Sequence, residues 1–138
     1  MKKEESKIAH LQMIQEIITR MGQNSFQIKG WAIGIMIAIF SFAGEQTDTR
    51  CILFTIVPLI IMWFLDSYYL QLERKFRYLY NDVRQTDDDK NFDMNFNEVK
   101  IQVKDSYKLC YFKVLFSMTE VVFYLTCIIT TILIYLLG

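Results

Sequence analysis

A chain of 138 residues with 53% hydrophobic and 15% aromatic content has room for one domain, and its formal net charge of zero offers no electrostatic case for binding nucleic acid. No paired histidines, CxxC, HExxH, GxSxG or phosphate-binding loop occurs, so the familiar catalytic classes are excluded and the chain reads as a non-enzyme without a cofactor or a resident metal. The 22% of charged residues are unevenly placed: segments 30–44, 51–65 and 121–138 contain none.

These three gaps predict an all-α membrane protein with three transmembrane helices and a cytoplasmic helical extension. A bilayer core takes roughly 20 apolar residues in a helix. The first two gaps are shorter than that and must recruit neighbours, which sets the spans at 26–43 and 51–69. The third span is placed at 114–137 and contains Glu120. The competing arrangement is a soluble bundle with buried apolar helices, but few residues remain to cover so much apolar surface. No cleavable signal peptide is expected, because the first 29 residues are charged and patterned as a helix.

Taken in chain order, residues 1–25 form a cytoplasmic head. Ile8, Leu11, Ile14, Ile18 and Met21 recur at spacings of three and four, the pattern of an amphipathic helix. Gly22 is placed as its C-cap, and Asn24 or Ser25 as the N-cap of the first span, making a tight corner between them. His10 lies on this helix without other metal ligands near it, and is read as a surface or interface residue.

The first span carries Gly30, Gly34 and Ala38, a small residue at every fourth position. Such a stripe lets another helix approach closely in lipid, within the chain or from another copy. After an outer loop at 44–50, Pro58 predicts a kink in the second span, because it cannot donate to the Phe54 carbonyl. The helical pattern then continues past the membrane through Tyr69, Leu72, Phe76, Leu79 and Val83, with Glu73 and Arg77 as an i,i+4 pair. One helix is expected from Cys51 to Val83, its far end packing on the head; the alternative is a head lying flat on the lipid.

Segment 70–113 thus combines a cytoplasmic stalk with an acidic loop. Asp87, Asp88 and Asp89 lack the glycine turn and further ligands of a calcium loop. Val99, Ile101 and Val103 alternate like a short strand, which would pair with another copy or merge into the last helix. The three cysteines, Cys51, Cys110 and Cys127, share no metal-ligand spacing and read as apolar fillers.

Fourteen of the 15 Lys and Arg residues, Lys29 included, lie on the side of the head and stalk, and Arg50 alone is in the loop. The positive-inside rule then places the N-terminus in the cytoplasm and the C-terminus outside. Depth follows from helix rise: Lys29 lies about 21 Å from the outer end of its span, Asp66 about 22 Å and Glu120 about 25 Å. The three ionisable residues therefore share a level in the inner part of the bilayer. Lys29 marks the membrane edge and can also pair with Asp66 or Glu120. The cluster either fixes the register of the helices or lines a hydrated path.

Three stretches carry a resemblance: "HLQMIQEIITRMGQNSFQIKGW" at 10–31, "FLDSYYLQLERKFRYLY" at 64–80 and "KVLFS" at 113–117. On them the chain resembles an uncharacterised family of short bacterial membrane proteins, with Glu120 a departure from the family's pattern. The resemblance implies a bacterial inner-membrane location and an association with antiphage defence. The combined expectation is a homo-oligomeric membrane effector that disrupts the bilayer or conducts ions under the control of its cytoplasmic helices. The alternatives are a non-conducting anchor for a soluble cytoplasmic partner and a small transporter subunit.

Overall fold

The computed structural model describes residues 2–45, 50–85 and 110–137. The expected acidic loop and the alternating stretch at 99–103 lie outside the described residues. Among the described residues there is helix and no strand: α1 (Lys2–Glu45), α2 (Arg50–Leu53), α3 (Ile56–Gln85), α4 (Tyr111–Leu115) and α5 (Met118–Leu137).

α1 and α3 run antiparallel, as their meeting points show. Ile14 and Ile18 share one core with Leu79 and Val83, whereas Ala32, nearer the other end of α1, shares a second with Leu59. α5 runs alongside in the direction of α1, placing Tyr124 and Cys127 in that second core. At 1.5 Å per residue α5 is about 30 Å long, the thickness of a hydrocarbon core, while α1 and α3 are about 66 Å and 45 Å. The excess length of α1 and α3 lies at the same end, so the three-helix part continues into a two-helix stalk. The head packs on the stalk through Ile14, Ile18, Leu79 and Val83, with Leu11, Phe76 and Tyr80 against them.

α1 is one helix, so the corner expected at Gly22, Asn24 and Ser25 does not exist. A glycine inside a helix costs about 1 kcal/mol relative to alanine. Ending one helix and starting another would instead leave up to about eight backbone groups needing new partners. The buried positions His10, Ile14, Ile18, Ser25, Ile28 and Ala32 form one continuous line at helical spacing, so an unbroken α1 buries them all against α3. That line also turns the expected head stripe. Ile8 is 52% exposed, and His10, expected at the surface or at an interface, is 3% exposed.

The helix expected from Cys51 to Val83 is interrupted by a turn at Phe54 and Thr55. Thr55 N donates to the Ile52 carbonyl (3.1 Å), and Leu59 N donates to that of Thr55 (3.3 Å). Pro58 therefore sits in the first turn of α3, where its missing N–H breaks no helical bond. The expected mid-span kink becomes a helix boundary.

The helix expected over 114–137 is likewise interrupted. α4 ends at Leu115, and α5 begins only at Met118, with Val121 N bonded to the Ser117 carbonyl (2.9 Å). Ser117 is a favourable residue at such a boundary. The Trp63 indole N–H donates to the Leu115 carbonyl (3.1 Å), the Tyr111 hydroxyl to that of Phe64 (2.9 Å), and Arg74 to the Ser117 hydroxyl (3.0 Å). These bonds tie the α4–α5 junction to α3. Burial also raises the Tyr111 phenol above its ordinary value, which keeps its O–H as donor.

Two helices are long and apolar enough to cross a membrane: α1, over Glu4–Ala43, and α5, over Met118–Leu136. The apolar part of α3 is cut short on one side by the turn before Ile56 and on the other by Asp66 and Ser67.

Candidate functional site

The centre of the three-helix part is polar. α1 contributes Ser25 and Lys29, one turn apart on its inward line; α3 contributes Asp66, and α5 contributes Glu120 and Tyr124, again one turn apart. Asp66 and Tyr124 are 0% exposed and Glu120 2%. The Lys29 side chain is 23% exposed.

Lys29 donates to three oxygens: Asp66 Oδ2, Glu120 Oε1 at 2.9 Å, and the Ser25 hydroxyl at 3.2 Å. An ammonium has three protons, so its capacity is filled. Its Nζ also stands 5.9 Å from the Phe123 ring centroid. Asp66 accepts from Lys29, from Ser25 and from the Tyr124 hydroxyl at 3.0 Å. Three donors offset much of the desolvation of a buried carboxylate.

Glu120 is treated differently. Its Oε1 accepts from Lys29, while its buried Oε2 finds no hydrogen-bond partner among the described residues. One cation faces two carboxylates, and Asp66 holds the larger share of donors. Glu120 thus supplies a second buried carboxyl with one oxygen lacking a partner among the described residues.

An apolar layer closes the site on the side of the α1 C-terminus. Ala32, Leu59, Tyr124 and Cys127 form it, with Met36, Met62 and Trp63 against them. Trp63 stacks on Tyr124 with ring centroids 5.9 Å apart and planes 14° off parallel. Beyond this layer, Thr55 and Thr131 are both 0% exposed. Thr131 back-bonds to the Cys127 carbonyl (2.9 Å), and the Thr55 hydroxyl has no partner among the described residues. In a single copy, therefore, the carboxylates and these threonines are separated by side chains that cannot conduct an ion.

The structure brings Lys29, Asp66 and Glu120 into one cluster. Among the described residues it brings no other helix against Gly30, Gly34 and Ala38. All three are exposed, and a Cβ added at Gly30 or Gly34 would meet nothing within 4 Å. Pro58 stands apart from the cluster, in the first turn of α3. Sequence reasoning missed Ser25 and Tyr124 as partners of Asp66. Their signal was spacing: each lies four residues from an ionisable residue of its own helix, hence on the same face.

No protein-family model, no curated protein and no solved structure matches the chain.

Proposed function

We propose that the chain is a small, self-associating membrane protein with three spans, acting as an effector that perturbs the bilayer or passes ions. The observation that carries this reading is the buried Lys29, Asp66 and Glu120 cluster with an unsatisfied carboxylate oxygen. Ionisable groups at membrane depth are costly and mark functional positions or interior pairings. A cluster serving only to fix register needs one cation and one carboxylate, and Lys29 with Asp66 already supplies both. Glu120 adds a charge that the pair does not require.

The outward face of α3 supports its role as the third spanning segment. Val57, Ile60, Ile61, Phe64 and Leu65 are all exposed large apolar residues of α3, a surface suited to lipid. The exposed stripe of Gly30, Gly34 and Ala38 supports association between copies, since no described helix of the same chain covers it. A passage through the membrane would then run between copies, or would open by displacement of the apolar layer around Leu59 and Tyr124. The proposed orientation keeps the head and stalk in the bacterial cytoplasm, where a partner or signal would act, in keeping with the antiphage setting that the resemblance implies.

One feature favours the second reading, a non-conducting anchor for a soluble partner. The apolar layer seals the cluster from the far side in a single copy. Dye and ion leakage from liposomes separates the two. The effector reading expects leakage that Glu120→Gln changes at unchanged expression, and Gly34→Leu abolishes together with crosslinked oligomer. Purified wild type that oligomerises without leakage overturns it in favour of the anchor.

Topology is checked independently. Reporters active only in the periplasm or only in the cytoplasm, fused after Gly138, are expected to report the periplasm. Cytoplasmic activity there would overturn the three-span arrangement while leaving the helical bundle intact.

A further inference from the structure

A cavity of about 420 Å³ lies between α3 and α4, lined by Arg74, Arg77, Tyr78, Asn81 and Lys113. Three of these five described residues are cations. Arg77 pairs with Glu73 on its own helix (2.7 Å), yet its side chain remains 64% exposed. Arg74 uses one nitrogen on the Ser117 hydroxyl, leaving most of its five N–H donors for another acceptor.

The position of this cavity identifies its chemistry. Arg74 lies eight residues beyond Asp66, about 12 Å further along α3 toward the stalk. Glu120, which shares Lys29 with Asp66, lies about 25 Å from Leu137 along the unbroken α5, so with a hydrocarbon core of about 30 Å Arg74 falls just past the core, among the headgroups. Phe112 and Phe116, on either side of Lys113, are exposed at 69% and 66%, as residues entering acyl chains would be. An apolar groove begins at the same α4–α5 junction and follows α5 into the membrane, lined by Met118, Val122, Phe123, Thr126 and Cys127 among others.

We propose that Arg74, Arg77 and Lys113 bind the phosphate of an anionic lipid in the leaflet facing the stalk, with an acyl chain in the groove along α5. Basic residues at the membrane surface are suited to anionic headgroups, and arginine matches phosphate geometry with paired donors. The site rests on the three-span reading, because only then does the cavity stand at headgroup level.

The test uses the full chain reconstituted in vesicles of phosphatidylcholine with a minor fraction of phosphatidylglycerol. Lipid retained by the protein is measured by native mass spectrometry. Wild type is expected to retain phosphatidylglycerol well above its bulk share. Arg77→Gln with Lys113→Gln should lower that enrichment by roughly fivefold for each cation removed. Both residues are at the surface, so the variant should keep its fold, and Arg74 is left in place to hold Ser117. Retention at the bulk ratio by wild type, or equal enrichment in the double variant, overturns the site. A parallel arm adds inorganic phosphate in detergent. Displacement of the lipid by millimolar phosphate would reassign the cavity to free phosphate and overturn the lipid. An alkaline wash that releases the chain from membranes would instead overturn the three-span reading, and the lipid site with it.

Discussion

Lys29→Ala is expected to lower the stability of the bundle by about 3–5 kcal/mol, the usual cost of breaking a buried ion pair from one side. The reason is the number of groups that depend on one ammonium. Lys29 donates to Ser25, Asp66 and Glu120, and its removal leaves two buried carboxylates, one on α3 and one on α5, without their shared cation. Asp66 would retain Ser25 and Tyr124, whereas Glu120 would retain nothing described. Typical domains are stable by about 5–15 kcal/mol, so the loss should be visible as lower protein level and a lower midpoint on heating in detergent. Glu120→Gln should do less harm, because its amide oxygen still accepts from Lys29 while the surplus charge is gone. Combining the two should recover part of the Lys29→Ala loss, a coupling expected of residues in one network. Trp63 stacks on Tyr124, which bonds Asp66, so its fluorescence should follow the transition. Equal midpoints for wild type and Lys29→Ala would show that the cluster does not hold the helices together.

Ile14→Asp should release the head from the stalk while the spans stay inserted. Ile14 is 0% exposed in a core of only four buried residues. Each buried aliphatic side chain contributes about 1.5–3 kcal/mol, and an unpartnered carboxylate in their midst costs several kcal/mol. Opening should stay local, because the second core around Leu59 and Tyr124 does not share these residues. Limited proteolysis of membranes reads this directly: cleavage after Lys7 and Arg20 should become fast, with no loss of protein from the membrane. Unchanged cleavage would mean that something other than the stalk, such as the lipid surface, holds the head.

Patterns that live within one helix were legible without coordinates. The charge gaps, the threes and fours of Leu11, Ile14 and Ile18, and those of Phe76, Leu79 and Val83 all follow from helical periodicity. So did the meeting of Lys29 with Asp66 and Glu120, because each lies a similar distance from the end of its own apolar segment. Helix boundaries were less legible. Gly22 carries a local signal to stop, but the continuous inward line from His10 to Ala32 outweighs it. Pro58 carries a signal to kink, but a proline is as readily placed in a first turn as in an interior, and only the turn at Phe54 and Thr55 decides between them.

The sequence by itself determined the helical class, the apolar segments and the position of each charge along its helix, because these depend on composition and on spacing along one axis. Tertiary structure alone decided the rotation of each helix about that axis, which no single-helix pattern specifies to within a residue. That rotation turns Gly30 and Gly34 outward and Ala32 inward, buries His10 in place of Ile8, and aims Ser25, Lys29 and Tyr124 at Asp66. It also leaves Glu120 Oε2 without a described partner. Hydrogen bonds are short and directional, so whether a buried carboxylate is satisfied depends on how three helices are turned toward each other, not on any one of them.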